Sequence, residues 1–377
     1  VNHIALLIPG LDRIGGAERQ MMSLAKGLRG RGWQVSVVAL SGTGGEAAAE
    51  LSAANVDFLS LHMRKGLADP RGWFQLNRWL RRERPDVVHA HLPHAVWLAR
   101  WSRIAAPMRV LVDTLHSSST GPLGRRIGYW GSKWLPNKVT AVSVAVAQAH
   151  LRARMVSRAR LAVLPNGVDL TTWKPDIEVR NAFRRVLNLK GKFLWLAAGR
   201  LDPVKDYRTL LQAMVDVPEA GTLVIAGSGP MEDELRLLSG ELGLEDRVQF
   251  LGFEPNVLRW MLAANGFVLA SRWEGLPMVV LEAAACAVPA VATDVPGTRE
   301  VVVDGKTGFL AAEGSAKALA EAMTRMMTIS GEERRAMGER ARQFVLDRYS
   351  LDAALDRWEA LFGELLEQNP KRRHWGR

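Results

Sequence analysis

The chain of 377 residues has little cysteine, no long apolar run and few acidic residues in its first half, and each shortage removes a class of protein. Cys286 is the only cysteine, so neither an internal disulfide nor a cysteine-built zinc site can form. The most apolar stretch, 278–293, contains Glu282 and Pro289 and falls short of the ~20 apolar residues that span a bilayer. The opening run Ile4 to Ile8 is too short for a signal-peptide core and leads straight into Pro9-Gly10. It reads as a first strand, and the chain as cytosolic. With 48% apolar and 24% charged residues the composition is globular, and the length suits two domains.

The charge is unevenly placed. Residues 1–160 hold 23 Lys+Arg against 9 Asp+Glu, a net +14, whereas residues 161–377 hold 27 against 30, a net −3. Tryptophan threads the basic half: Trp73 and Trp79 lie beside Arg71, Arg78, Arg81 and Arg82, Trp97 and Trp101 beside Arg100 and Arg103, and Trp130 and Trp134 beside Arg125, Arg126 and Lys133. Basic residues with tryptophan suit an anionic bilayer surface, where rings sit at headgroup depth and cations meet lipid phosphates. A nucleic-acid surface uses the same residue types, and so does a solvated helix face whose tryptophans turn inward.

Short runs of Val, Ile, Leu and Ala recur at 3–8, 35–40, 56–61, 86–90, 109–114, 138–142 and 161–164, then at 193–198, 222–226, 248–251, 266–270 and 288–292. Helical spacing lies between them, as in Glu18 to Arg29, where Met21, Met22, Leu24, Ala25 and Leu28 share one side. Nearly continuous apolar strands alternating with helices predict parallel sheets covered on both faces, in two doubly wound α/β domains. The break falls between about Pro165 and Lys192, where the charge changes sign. Residues 350–367 predict an amphipathic helix, followed by a basic tail from Pro370 to Arg377.

Open parallel sheets bind ligands beyond the carboxyl ends of their strands. After the first strand, Gly15-Gly16 opens a helix and lets backbone N–H groups approach an anion, although an ordinary tight turn uses the same pair. After strand 193–198, Arg200 and Lys205 suit a diphosphate, one as a planar fork and the other as a mobile point charge. Gly227 follows the next strand. The most informative segment is 271–282. There Glu274 directly follows a strand, Gly275 and Pro277 start a helix, and Glu282 lies inside an otherwise apolar run. The N–H groups of Leu276, Met278 and Val279 face an anion at that helix start, and Glu282 is placed to accept from a ribose diol.

Taken together, Gly15-Gly16-Ala17-Glu18-Arg19, Asp86-Val87-Val88-His89-Ala90-His91, Pro165-Asn166-Gly167-Val168-Asp169, Gly199-Arg200-Leu201 with Lys205, Glu274 with Glu282, and Thr293-Asp294 through Glu300 to Gly308-Phe309-Leu310 resemble the family 4 retaining glycosyltransferases. The resemblance runs in order and spacing over about residues 1 to 365. It implies a GT-B fold, two Rossmann-like doubly wound parallel-sheet domains facing a central cleft. The implied division is an acceptor-binding domain at 1–170, a nucleotide-sugar-binding domain at 171–349, and a segment 350–377 whose helix packs back on the first domain. Under this resemblance Arg200 and Lys205 hold the donor diphosphate and stabilise it as leaving group. Glu282 binds the ribose, Glu274 binds the hydroxyls of the transferred sugar, and Gly15 and Gly16 close over the phosphates. Gly227, Phe253, Gly275, Leu276, Met278 and Val279 complete the donor site, with base recognition near Leu251-Gly252-Phe253.

His116 matches the position where relatives place a histidine beside the sugar; a loop-end histidine bonded to backbone is the plainer role. His89, His91 and His94 read as cleft or packing residues. No metal and no cofactor are expected, since the chain lacks the Asp-x-Asp of metal-dependent transferases. The partners implied are a nucleotide diphosphate sugar, a saccharide or lipid-linked saccharide acceptor in bacterial cell-surface polysaccharide assembly, and an anionic membrane surface, with the enzyme peripheral on the inner face of the cell membrane. A nucleotide-sugar epimerase or phosphorylase of the same fold is the alternative enzyme. A basic nucleic-acid-binding protein is the alternative without catalysis, and it leaves Glu274 and Glu282 unused.

Overall fold

The computed structural model describes residues 1–12, 14–64 and 69–370. The chain packs as two compact units, one made of Val1–Gly167 with the chain from Leu351 onward, the other of Val168–Ser350.

In the first unit the strands are β1 (His3–Ile8), β2 (Gln34–Ala39), β3 (Asp57–Ser60), β4 (Val87–His91), β5 (Val110–Leu115), β6 (Lys138–Ala141) and β7 (Leu161–Val163). All pair in parallel, in the order β3-β2-β1-β4-β5-β6-β7. The helices are α1 (Gly16–Gly30), α2 (Gly45–Ala53), α3 (Pro70–Glu83), α4 (Pro93–Ala105), α5 (Leu123–Ser132) and α6 (Val144–Arg152). Every residue of β1 is buried, as a parallel strand covered on both faces requires. Its Ile4, Leu6 and Ile8 join Met21, Met22, Leu24, Ala25 and Leu28 of α1 in one core. Each Ile, Leu or Met side chain among them contributes about 1.5–3 kcal/mol on burial.

The second unit holds α7 (Ile177–Val186), β8 (Phe193–Ala198), α8 (Tyr207–Asp216), β9 (Gly221–Ala226), α9 (Glu232–Glu241), β10 (Val248–Gly252) and α10 (Val257–Ala263). It continues with β11 (Gly266–Leu269), α11 (Met278–Ala285), β12 (Ala290–Thr293), α12 (Pro296–Arg299), β13 (Gly308–Ala311), α13 (Ala316–Thr328) and α14 (Gly331–Arg348). Its parallel sheet runs β10-β9-β8-β11-β12-β13. The last helix, α15 (Leu351–Gln368), belongs to the first unit: Leu355, Trp358, Leu361, Phe362 and Leu365 enter the β1 core, and Arg31 holds Asp356 at 2.6 Å and Glu359 at 2.7 Å.

The twelve expected strands lie within two residues of those observed; β13 was not among them. Helix α11 begins at Met278 with Pro277 as its cap, so Gly275 belongs to the loop before it rather than to the helix start. Of the basic tail, residues 371–377 lie outside the described residues.

The outer faces of α4 and α5 break the usual rule that the apolar stripe of a helix faces the core. Trp97, Trp101 and Ile104 on α4, and Leu123, Ile127 and Trp130 on α5 with Trp134 beyond it, are all exposed. The inner face of α4 buries Ala95, Val96 and Ala99 and adds a polar tie. Arg100, fully buried, donates from Nε to Asp113 at 2.7 Å and from Nη1 to Ser132 at 3.0 Å, and it lies over the Tyr129 ring. Trp73 and Trp79 of α3 are only half-exposed, so the outward face belongs to α4 and α5.

Candidate functional site

The second sheet reverses its order between β8 and β11, so the loops after these strands leave in opposite directions and open a crevice at the carboxyl edge. The two loops are stitched together by the N–H of Arg272 on the Val204 carbonyl (2.8 Å) and by Arg272 Nε on Asp206 Oδ2 (3.1 Å). Across this join Lys205 Nζ lies 2.6 Å from Glu274 Oε1, and the Ser271 hydroxyl donates to the same oxygen at 2.6 Å. Both side chains of the pair are largely buried. An ammonium carries three donors, so two remain for a phosphate. Arg200 donates from Nε and Nη2 to Asp202 Oδ2 at 2.8 and 2.6 Å, yet 74% of its side chain stays exposed.

Two glycines let these loops come together. Gly227 sits at φ +148°, and a Cβ there would stand 1.9 Å from the Gly199 carbonyl oxygen. A Cβ on Gly297 would come within 2.6 Å of the Glu274 carbonyl, so the start of α12 seats the Glu274 loop. In α11 the N–H groups of Val280 and Leu281 both turn to the Pro277 carbonyl, which leaves those of Met278 and Val279 ahead of the first intrahelical bonds, at the positive end of the helix. Glu282 lies just over one turn further along and is half-buried. Phe253 is exposed just past β10, the edge strand, two strands away from β8.

In the first unit, Gly15, Gly16 and His116 lie at the carboxyl edge of the sheet, after β1 and β5. The N–H of Gly15 donates to Glu18 Oε2 at 3.1 Å. His116 Nε2 stands 3.0 Å from His91 Nδ1, and the His89 ring lies tilted against that of His91 with centroids 4.1 Å apart. Behind them lie Trp358 and Phe362 of α15, and His89 Nε2 bonds Thr114 Oγ1 at 2.7 Å. Burial holds His89 down to about 3 and His116 to about 4, and it lowers His91 well below the usual histidine range, with the neighbouring rings adding to the effect on His89 and His91. All three are therefore neutral near pH 7, and one proton is shared between His91 Nδ1 and His116 Nε2. Among the described residues no cluster of His, Cys, Asp and Glu could hold a metal ion.

Sequence reasoning passed over Asp202, Ser271, Asp206 and Gly297. Ser271 and Gly297 sit inside the quoted segments and Asp202 and Asp206 beside Lys205, but their partners are fixed by tertiary geometry.

Residues 14–172 match the family model described as Glycosyltransferase Family 4, and residues 179–344 match Glycosyl transferases group 1. A relative, the alpha-D-kanosaminyltransferase of Streptomyces kanamyceticus, is 30% identical over 78% of this chain and 81% of its own length. The chain is a family 4 glycosyltransferase. The UDP-Gal:alpha-D-GlcNAc-diphosphoundecaprenol alpha-1,3-galactosyltransferase of Escherichia coli is 26% identical over 65% of this family 4 chain and 67% of its own. HepE from Anabaena, solved with UDP and glucose, superposes with a TM-score of 0.87 at 22% identity, over 97% of this chain and 100% of its own. The fold is thus GT-B, and the enzyme is a glycosyltransferase using a nucleotide sugar, within a retaining, metal-independent family. No described helix of this family 4 enzyme is long and apolar enough to cross a membrane.

Proposed function

We propose that this enzyme moves a hexose from a nucleotide diphosphate sugar to a hydroxyl of a lipid-linked saccharide, while resting on an anionic membrane surface. In the transfer the bond from the sugar C1 to the diphosphate oxygen breaks and the bond from C1 to the acceptor oxygen forms on the same face. The acceptor proton passes to the departing phosphate. The protein's part is to hold the diphosphate with Arg200, Lys205 and the free N–H groups of α11, and so to stabilise the charge that builds up on the leaving group. Glu274 takes hydroxyls of the sugar and Glu282 those of the ribose; Gly16 offers its N–H group to phosphate, and Gly15 does so on exchanging Glu18 for it. Leu276 and Met278, both buried, shape the wall between them. His116 donates from Nδ1 to the sugar. With His91 as donor to its Nε2, the orphaned His91 Nε2 is left as a bare lone pair rather than as a buried N–H, the cheaper arrangement.

The observation that carries the lipid-linked acceptor is the outward face of α4 and α5. Two apolar stripes, flanked by Arg125, Arg126 and Lys133, are exposed where a soluble acceptor requires nothing of the kind. The name of the E. coli relative contains such an acceptor, a diphosphoundecaprenol. Each basic residue at an anionic leaflet contributes about 1 kcal/mol, so four to six engaged side chains give reversible binding without an anchor. Co-sedimentation with anionic vesicles tests the reading: binding should weaken with salt and fall when Arg125, Arg126 and Lys133 become Glu. No binding to anionic vesicles at low salt would remove the support for a lipid-linked acceptor.

A further inference from the structure

At the far end of the first unit, away from His116, a groove opens at the amino edge of the sheet, lined by Arg103, Ile104, Trp134, Pro136, Asn137 and Arg160. Ile104 closes the outward stripe of α4 and Trp134 that of α5, so the groove lies where both stripes end; these two walls are 59% and 61% exposed. Its two arginines are held by neutral oxygens. Arg103 Nη1 donates to Asn137 Oδ1 at 2.5 Å, and Arg160 Nη1 donates to the carbonyls of Trp134 and Pro136, each at 2.5 Å. Among the described residues neither makes an ion pair with a carboxylate, whereas Arg100 one turn earlier does. Burial and the charge of Arg160 hold the Arg103 guanidinium below its usual range. The two cations therefore face one pocket and repel each other, with the buried Asp113, already paired to Arg100, offsetting part of that repulsion on Arg103.

We propose that this groove binds the phosphate of one anionic phospholipid headgroup, with Ile104 and Trp134 seated at the acyl boundary beside it. This inference rests on the membrane reading above and adds a defined site to it. A guanidinium pair forks onto phosphate oxygens, and here the Asn137 amide oxygen and two backbone carbonyls already fix the two side chains, so little is left to organise. Free phosphate or a nucleic-acid strand would satisfy the arginines but would cover neither Ile104 nor the neighbouring Trp101, Ile127 and Trp130. Asn137 also donates to Asn369 at 3.3 Å, so the chain leaves α15 at the rim of the groove, and Lys371, Arg372 and Arg373 follow in the sequence.

The test compares two double variants of equal charge change, Arg103→Gln with Arg160→Gln and Arg78→Gln with Arg126→Gln, on phosphatidylglycerol–phosphatidylcholine vesicles. Removing a charge at a diffuse surface costs about 5-fold in affinity, so the exposed pair should lose at most about 30-fold. The groove pair should lose clearly more and should also lose the preference for phosphatidylglycerol over pure phosphatidylcholine. Equal losses would overturn the groove and leave the membrane reading standing; absence of wild-type binding would overturn both. Displacement of the wild type by inorganic phosphate, but not by chloride at the same ionic strength, would assign the groove to free phosphate instead. Loss of binding to a single-stranded oligonucleotide with vesicle binding intact would assign it to nucleic acid. The thermal shift given by nucleotide sugar monitors folding of each variant. Should the groove pair fail to fold, Trp134→Ala, at an exposed wall, must weaken phosphatidylglycerol binding.

Discussion

Lys205 Nζ lies 2.6 Å from Glu274 Oε1, so the cation assigned to the donor diphosphate is held by the carboxylate assigned to the transferred sugar. The two come from adjacent strands, β8 and β11, 69 residues apart in sequence. In the absence of donor the pair is neutral as a whole, which spares the site an uncompensated, largely buried ammonium. On binding, the phosphate must share that ammonium with Glu274. Changing Glu274 to Gln should therefore tighten binding of the bare nucleotide diphosphate several-fold while lowering transfer at least 10-fold. Calorimetric titration beside a turnover assay separates the two. A parallel loss of both would show that Glu274 only props up the loop.

Gly227 makes a stability prediction that is local to the donor loops. With a Cβ 1.9 Å from a backbone carbonyl and φ at +148°, Gly227→Ala forces the β8 and β9 loops apart. Nucleotide-induced thermal stabilisation should be abolished while the unliganded enzyme still melts cooperatively. An unchanged nucleotide shift would mean that the close approach of Gly199 and Gly227 has no bearing on donor binding.

How much of this was legible in the sequence follows from the same geometry. Parallel strands buried on both faces read as apolar runs, which is why β1 and β8 stand out. Strand β13 did not, because Gly308-Phe309-Leu310-Ala311 holds no β-branched residue, unlike the equally short β6, β11 and β12. Arg200, Lys205 and Glu274 could be picked out as site residues because loops at carboxyl edges bind ligands. The Lys205–Glu274 contact could not, since it depends on β8 lying beside β11. The tryptophans show the limit most plainly. Trp73 and Trp97 look alike in sequence, yet α3 half-buries the first while α4 turns the second to solvent, because buried Arg100 claims the inner face of α4.

That buried ion pair carries a prediction of its own. Arg100→Ala leaves the Asp113 carboxylate buried without its partner and should cost about 3–5 kcal/mol by urea unfolding. Replacing both with apolar residues of similar volume, Arg100→Met with Asp113→Leu, should recover most of the loss. If the double variant is as unstable as Arg100→Ala, the packing of α4 and α5 rests on something other than the charge pair.

The histidines set the acid limit of the fold. Their folded pKa values are depressed, to about 3 for His89 and about 4 for His116, so below the unfolded value near 6.5 the unfolded chain takes up protons that the native state refuses. Their contribution is thus complete above pH 6.5 and is lost as pH falls from there toward 4, at roughly 1.4 kcal/mol per pH unit for each histidine. Denaturation series at pH 7.5 and 5 should show this, and replacing His89 with Phe should flatten the slope. A slope unchanged by His89→Phe would place the acid sensitivity elsewhere.

The central claim is that protein cations at 200 and 205 do the work of neutralising the departing diphosphate. The most direct measurement is sugar transfer from nucleotide sugar, in EDTA and in Mg²⁺, by wild type and by Lys205→Ala. Wild-type turnover should be the same in both solutions, and Lys205→Ala should lose about 10²-fold or more in kcat without rescue by Mg²⁺. Wild-type activity that vanishes in EDTA and returns with Mg²⁺, or a Lys205→Ala variant with near-normal kcat, would contradict it.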